Sequence, residues 1–600
     1  MSRNHDNFAD LITFTRASQS TVVDSDGLLK YPAHNLVENS EDLTQWTLSN
    51  LTAAGNDIAA PDGTTTADKL TDSSDGSSVI HRARESISVA ANTKHRLAIF
   101  AKKGTTAFFQ LALIQTSNSK TASVVFDLEN GVVGEELTTA GGNGTVHDSS
   151  ITDVGNGWFL CQMTAEINSD ANQYQITLAT QATGNSDTLL QVSYNGDGTR
   201  NAYFWGAHLY KADKQMQNNP AQSDANFATY VPTTSASVFQ PRIDFDPVTK
   251  DRKGFLIEEA RTNLLTYSED FTQYSNARTV DTANQGTAPD GSNNATKLSE
   301  TADTNNHNIQ LDINFSYTSG DTYTHSAFLK AGTVSVMQLL LPSSAFGSNA
   351  FANYDLTNGV VGTVGSSATA SIEDFGNGWF RCVLTAAVTS TSTADGGFIV
   401  FTNNSTTAAR APSYAGDTAS HVFIFGNQLE EGAFPTSYIP TSGASATRAA
   451  DAASIATSAF GYNQDEGTIV AEAQTFKADL FHRVASLNNG TSVNRMILQA
   501  NATTHLFVEV DDVGQTSRDA GAYTSNVFTK HAAAFQKNNF GACLDGGSVS
   551  AGTSGTLPVV NIINIGAAVT GSFGFLNGHI KKLQYFPRRL SDTQLQEITR

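Results

Sequence analysis

The chain is short of cysteine and of positive charge, and it has no long apolar run. Three cysteines, Cys161, Cys382 and Cys543, in 600 residues make no disulfide framework, so stability has to come from buried apolar surface. Charged residues are only 16 % of the chain, and acidic ones outnumber basic ones to leave a formal charge of −21. Reading a phosphate backbone needs clustered Lys and Arg, so nucleic acid is not expected as a partner. No stretch of 18 apolar residues occurs, and the opening MSRNHDNFADLITF has no apolar core of a secretory signal. Membrane insertion and signal-directed secretion are therefore not expected, and synthesis in a cytoplasm is. HExxH, GxSxG, a P-loop and a GxGxxG leading into a helix are also missing, and with them the chemistries those motifs carry.

Ser, Thr, Asn, Ala and Gly fill the place of the missing charge, a composition suited to many short strands joined by polar turns. The strongest feature is an internal duplication. NLVENSEDLTQW from Asn35 matches NLLTYSEDFTQY from Asn263 at seven of twelve positions, 228 residues apart. At the same spacing APDGTTTADKL from Ala60 meets APDGSNNATKL from Ala288, and FDLENGVVG from Phe126 meets YDLTNGVVG from Tyr354. The spacing then slips to 221 at GNGWFLC and GNGWFRC, from Gly155 and Gly376, and to 208 at YVPTTSAS and YIPTSGAS, from Tyr230 and Tyr438. The last slip puts extra polar residues around Lys211–Asn226 of the first copy, read as a surface loop.

Within each copy the pattern is β. Leu97, Ile99 and Ala101 share one face of an alternating run, as do Ala327 and Leu329. Asn130–Gly131 and Asn358–Gly359 read as tight hairpin turns that use positive φ. Turn signals every 8 to 12 residues over about 180 to 200 residues fit a two-sheet jelly roll. Beyond Thr447 the repeat stops. HLFVEVD from His505 alternates, with Leu506, Val508 and Val510 on one face. Ser591 with Gln594 three residues later is a capping box, and Leu590 against Leu595 a hydrophobic staple, so a short helix is expected near the C-terminus.

Single residues are weighed against structural roles. Trp158 and Trp379, entering strands after a glycine turn, and Trp205 in an apolar strand, read as core. Cys161 and Cys382 read as one core position used twice. Trp46 and Tyr274 follow a polar SED-x-TQ turn, which suggests partial exposure and makes them the candidate glycan contacts. The acidic pairs Glu258–Glu259, Glu430–Glu431 and Asp511–Asp512 read as solvated or structural, since neighbours on a strand face opposite ways. No catalytic residue is assigned. Asp24-Ser25-Asp26-Gly27 opens like a calcium loop, but its twelfth position is Asn35 rather than Glu. A structural Ca²⁺ thus stays open without a placed site, and no other cofactor is expected. His81, His95, His147, His325 and His421 read as surface or satisfied core residues.

Three phrases resemble phage virion proteins of the tail-fibre and minor-tail type: LITFTRASQSTVVDSDGLLKY from Leu11, IDFDPVTKDRKGFLIEEARTNLLTYSEDF from Ile243, and PTSYIPTSGASATRAADAASI from Pro435. In that group the TRAS opening runs almost directly into the DPVT phrase, whereas here the first repeat stands between them. The GNGW repeats are similar to carbohydrate-binding jelly rolls. GHIKKLQYFPRRLSDTQLQEI from Gly578 resembles the close of concanavalin-A/laminin-G-like domains. The expected organisation is all-β and multidomain: two homologous jelly-roll β-sandwiches plus a C-terminal lectin-like β-sandwich ending in a short helix. Its expected parts are a particle-attachment segment (1–34), repeat 1 (35–237), a connector hairpin (238–262), repeat 2 (263–446), a linker (447–466) and the concanavalin/laminin-G-like domain (467–600). The resemblance implies a virion tail fibre or tail-tip adhesin that binds host surface glycans. Other virion proteins are its expected partners, homotrimerisation is expected by analogy, and enzyme activity is not expected. The rivals are a capsid decoration or head-fibre protein, a polysaccharide depolymerase and a secreted bacterial adhesin.

Overall fold

Side chains that alternate between two sides of a strand demand a second sheet to cover the apolar side, and the chain meets that demand three times. The structure, a computed structural model, describes residues 11–89, 91–115, 120–138, 144–180, 192–212, 230–476, 482–501, 503–569 and 574–600. It divides into two units: Tyr31–Gln240, and Met1–Lys30 together with Pro241–Arg600.

The unit Tyr31–Gln240 is one sandwich of two six-stranded antiparallel sheets. At the middle of one, His95–Lys103 lies between Trp158–Ile167 and Asn201–Lys211; at the middle of the other, Phe108–Gln115 lies between Lys120–Asp127 and Ala171–Ala179. Leu97, Ile99, Phe109, Leu111, Val124, Cys161, Ile176 and Phe204 fill the space between the sheets. Repeat 2, in the other unit, has the same two strand orders, with Thr322–Ala331 and Val336–Leu340 in the corresponding places. Cys382 faces Ala327 across its sheet as Cys161 faces Ile99, and both thiols are fully buried. The duplication is thus one of topology and core as well as of phrases.

Both copies carry the same punctuation. Gly206 and Gly426 take φ of 66° and 59° beside a bulge in each long strand. A Cβ there would come within 3.1 Å of Phe100 or 2.8 Å of Phe328, so glycine is required twice over. The Asn-Gly turns differ from expectation: only Gly131 and Gly359 have positive φ, both 64°. Asp127 Oδ1 takes the N–H groups of Glu129 and Asn130, and Asp355 Oδ1 those of Thr357 and Asn358. The preceding aspartate therefore shapes a longer loop than a two-residue turn. Of the extra segment around Lys211–Asn226 of repeat 1, residues 213–226 lie outside the described residues.

The third sandwich has two seven-stranded sheets, and it draws strands from segments expected to lie outside it. Thr13–Thr15 pairs with Ala452–Ala456 at the edge of one sheet. Arg242–Phe245 and Arg252–Ile257 form the expected hairpin, but they are strands of the other sheet, through Phe255–Ile257 and Gly578–Ile580. Phe255, Leu256 and Ile257 are all buried, because a strand with neighbours on both sides and cover on both faces has no wet side. The stretch 447–466, expected as a linker, holds strands of this sandwich and of a small ladder, Ala446–Arg448 on Arg261–Asn263. The segment expected to attach to a particle is, from Leu11 to Lys30, built into the unit with Pro241–Arg600. Val238–Phe239 instead pairs with His34–Asn35 and closes repeat 1. Leu506 and Val508 are buried while Val510 is half-buried, and the side chain of His505 lies outside the described residues. The chain closes on the helix Asp592–Ile598, capped reciprocally by Ser591 and Gln594, with Leu590 and Leu595 in one apolar cluster.

Candidate functional site

Trp46 and Tyr274 are not exposed: they keep 4 % and 6 % of their surface. Each follows a short 3-10 turn, Leu43–Gln45 or Phe271–Gln273, capped by Asp42 or Asp270. The Trp46 Nε1–H donates to Asn39 O at 3.1 Å and the Tyr274 O–H to Tyr267 O at 2.6 Å, in both cases seven residues back. The polar turn points its carboxylate outward and the aromatic ring inward. The partial exposure behind the glycan-contact expectation is therefore absent.

The other tryptophans are buried, as the sequence reading had it, but in apolar clusters on the outer face of a sheet rather than between the sheets. Trp158 Nε1 donates to Ala59 O at 3.2 Å and Trp379 Nε1 to Thr287 O at 3.0 Å. In each copy the GNGW phrase therefore pins the APDG loop onto the outer face of a sheet. Trp205 donates to Thr66 Oγ1 at 2.9 Å. Asp511 and Asp512 stand in a turn with φ of 48° and 64°, not on a strand. Glu430 is buried on Thr436, whereas Glu431 is exposed. Asp24 and Asp26 both face the buried ammonium of Lys30. Among the described residues no cluster of three or more His, Cys, Asp or Glu is placed to hold a metal. His81, His95, His147, His325 and His421 each meet a protein hydrogen-bond partner.

The three phrases of the phage resemblance converge. Arg16 of TRAS pairs with Asp451 of TRAAD at 2.9 Å, and Arg242 pairs with Asp451 and, at 2.5 Å, with Glu258 of IEEARTN. Arg448 reaches Glu258 at 3.5 Å, and all five side chains are without exposure. Ser437 adds its N–H and hydroxyl to Glu258 at 2.8 and 2.7 Å. Burial by itself would raise Glu258, but Arg448, Arg242 and Ser437 overcome it and hold the carboxyl well below its ordinary range. Burial likewise opposes ionisation of Asp451, and Arg242, Arg16 and Arg448 hold it low. This is a buried clasp in which every charge faces an opposite one. Its carboxylates serve architecture: breaking one partner of such a network costs about 3–5 kcal/mol.

An open site lies in repeat 2, on the outer face of the sheet that contains Val336–Leu340. Alternation sends Met337, Leu339, Ile309, Ile399 and Phe401 into the core and leaves Leu340, Asn308, Phe398 and Val400 facing outward as a floor. A cavity of about 470 Å³ stands over them. One wall is Arg410 and Ala411, carried by a loop that the sheet itself anchors: Ala411 N–H donates to Gln338 Oε1 at 2.8 Å, and Gln338 Nε2 donates to Ala409 O at 3.1 Å. Ala411 is held at φ 46°, a left-handed conformation that an alanine adopts at some cost. Arg410 donates to Ala350 O at 3.0 Å and Leu341 O at 2.6 Å. Ser343 and Ser344 form a second wall, and Asn314 and Asp395 close the end.

Two groups in this groove are electrostatically unusual. Asn308 keeps only 6 % of its surface, and its Oδ1 meets no donor; a buried acceptor left so costs about 1–3 kcal/mol. Asp395 is raised above the ordinary carboxylate range, first by burial and then by Asp312. Both carboxylates accept from the Gln310 amide, at 3.3 and 3.0 Å. Sequence reasoning missed this groove because its residues come from five separated segments. The available signal was slight: Arg410 is the one charged residue in the polar loop 402–413.

No family model matches the chain, and no curated protein does. Solved structures similar to it include the carbohydrate-binding module CBM40 of a Ruminococcus gnavus sialidase, at 19 % identity over 23 % of this chain and 84 % of that one, with TM-score 0.21. The tandem CBM22 modules of Paenibacillus barcinonensis Xyn10C align at 12 % identity over 67 % and 98 %, with TM-score 0.21. Domains LG4-5 of the mouse laminin α1 chain align at 9 % over 58 % and 93 %, with TM-score 0.19. At these scores the likenesses carry no argument, and the fold rests on the sheet orders above.

Proposed function

We propose that the chain is a glycan-binding contact protein of a virus particle, a tail fibre or tail-tip adhesin, and that the groove over repeat 2 is a binding site. The observation that carries the proposal is the groove's make-up. A floor with one aromatic ring, flanked by amide, hydroxyl, guanidinium and carboxylate groups, offers what a polyhydroxylated ring needs: an apolar face to lie on and donors and acceptors at its rim. The virion assignment rests on the three resembling phrases, and partner virion proteins and a trimer are part of the same proposal. Weak sites repeated over subunits would then add through effective concentration. Capsid decoration is the alternative placement, separated by labelling particles and locating the chain.

One observation favours a second reading, cleavage of surface polysaccharide. Asp395, raised by burial and by Asp312, shares the Gln310 amide with Asp312, and a glycosidase divides acid and base work between two carboxyls of unlike proton affinity. One experiment tests both readings. Purified chain is screened against host surface polysaccharides for retention and for shortened products, alongside Phe398→Ala, Asn308→Ala and Asp395→Asn. The adhesin reading expects retention of uncut glycan, weakened at least tenfold by Phe398→Ala and Asn308→Ala with the melting temperature kept. Shortened chains that disappear with Asp395→Asn would install the hydrolase instead, and retention indifferent to all three variants would remove the groove from the account.

A further inference from the structure

We infer that the groove of repeat 2 selects glycans that carry a carboxylate, a uronic or other acidic sugar, and that Arg410 is the residue that reads the acid. The inference rests on the groove being a glycan site and adds the chemical class of its ligand.

The guanidinium of Arg410 is half-buried in the groove wall, and among the described residues no carboxylate lies within 4 Å of it. Its two contacts are backbone carbonyls, Ala350 O and Leu341 O. They fix the plane of the fork without neutralising its charge, and they use two of its five N–H donors. The three left over suit a bidentate carboxylate, which a planar guanidinium binds in preference to a single hydroxyl. Desolvation lowers its proton affinity somewhat, with no acidic neighbour to restore it; a partly desolvated cation gains more from an incoming anion than a solvated one does.

The rest of the groove fixes which end of the sugar goes where. Asp395 repels a carboxylate and accepts hydroxyl protons, so the acid is driven to the Arg410 side. The chain as a whole carries −21 and repels polyanions at long range, so acid recognition here has to be a local, short-range pairing. Salt then helps the approach by screening that repulsion, the reverse of ordinary polyanion binding.

The test is calorimetric titration of the full chain with oligosaccharides of glucuronic, galacturonic and mannuronic acid and with sialylated oligosaccharides, each beside its carboxyl-reduced neutral counterpart. At least one acidic member is expected to bind tenfold or more tighter than its reduced partner. Arg410→Gln is expected to abolish that difference while leaving the reduced sugar's affinity in place, and Arg410→Lys to restore only part of it. Asp395→Asn, which leaves Arg410 untouched, is expected to keep the preference for the acid and checks that the groove tolerates substitution. Equal affinity for acidic and reduced sugars, or an Arg410→Gln variant that weakens both alike, overturns the inference and leaves the glycan reading standing. If neither member of any pair binds, both fall.

Discussion

A histidine ring held through both nitrogens in its neutral form has no place for a second proton, and His34 in repeat 1 is such a ring. Its Nδ1 faces Pro32 O at 3.1 Å, and its Nε2 accepts the N–H of Lys211 at 3.1 Å. Burial above all brings it down from 6.5 to about 3, and His208, which donates to His34 O at 3.0 Å, is brought down from 6.5 to about 4. Because the unfolded chain takes up these protons near 6.5 and the folded chain does not, their contribution is complete above that pH. It is lost as pH falls toward 4 and 3, at up to about 1.4 kcal/mol per pH unit for each ring. Glu85 acts the opposite way, raised to about 7 by burial and by Glu38, so the rings are isolated by difference. Urea melts of the Tyr31–Gln240 unit at pH 7, 6 and 5 are expected to fall more steeply for the parent than for His34→Gln; parallel curves would rule the mechanism out. The same scale shows why side-chain exposure was the least legible property in the sequence. Trp46 and Tyr274 follow turns as polar as any on the surface. What buries them is the core of each sandwich, where Trp46 packs on Tyr174 and Tyr274 on Phe271, and the turn itself does not announce it.

Between residue and sheet stand the asparagines that open each repeat. Asn35 donates to Ala207 O and Val231 O, both at 2.9 Å, and accepts from Val37 and Leu209, both at 3.1 Å. Asn263 does the same with Asn427 O, Ile439 O, Leu265 and Leu429. One buried amide thus joins the opening segment, the strand beyond the bulge glycine, and the YVPT or YIPT segment. Replacing Asn263 by alanine strands four backbone groups, and at roughly 1–3 kcal/mol each the loss of stability is expected to exceed about 3 kcal/mol, read by chemical denaturation. Asn263→Asp, which keeps the acceptor and loses the donors, is expected to fall between; a change below about 1 kcal/mol for alanine would show that water replaces the amide. At this scale the sequence was informative wherever a local rule had a local partner. The capping box at Ser591 and Gln594 and the paired core cysteines needed only spacing. The strands in 447–466 escaped notice because their partners, Thr13–Thr15 and Arg261–Asn263, lie hundreds of residues away or across a whole sandwich, and short Ala-rich runs such as AASIA carry no period of their own. The groove stayed hidden for the same reason, being assembled from loops.

For the whole molecule the chain path is the informative fact: a unit of 31–240 is let into another unit whose parts are 1–30 and 241–600. The host unit closes on itself across the insertion. Val23 N–H donates to Asp244 Oδ1 at 2.9 Å, and Arg16 and Arg242 share Asp451. The inserted unit begins and ends at one place, since Gln240 N–H donates to Ala33 O at 2.8 Å and His34–Asn35 pairs with Val238–Phe239. Adjacent ends are the geometry that lets a domain be inserted with little disturbance of its host. The resemblance had pointed the same way, since the TRAS and DPVT phrases run together in similar proteins and are split here by repeat 1. Joining Ala33 directly to Gln240, with 34–239 removed, is therefore expected to leave the clasp, repeat 2 and the third sandwich folded. The shortened chain should unfold cooperatively within a few degrees of the host transition in the parent, and it should keep whatever glycan binding the repeat 2 groove has. Should the shortened chain expose its core, seen as dye binding and loss of near-ultraviolet dichroism, repeat 1 would be part of the host's stability and not a guest in it. The complementary fragment, 31–240 alone, is expected to fold as well, because its core and its two closing strands are all its own.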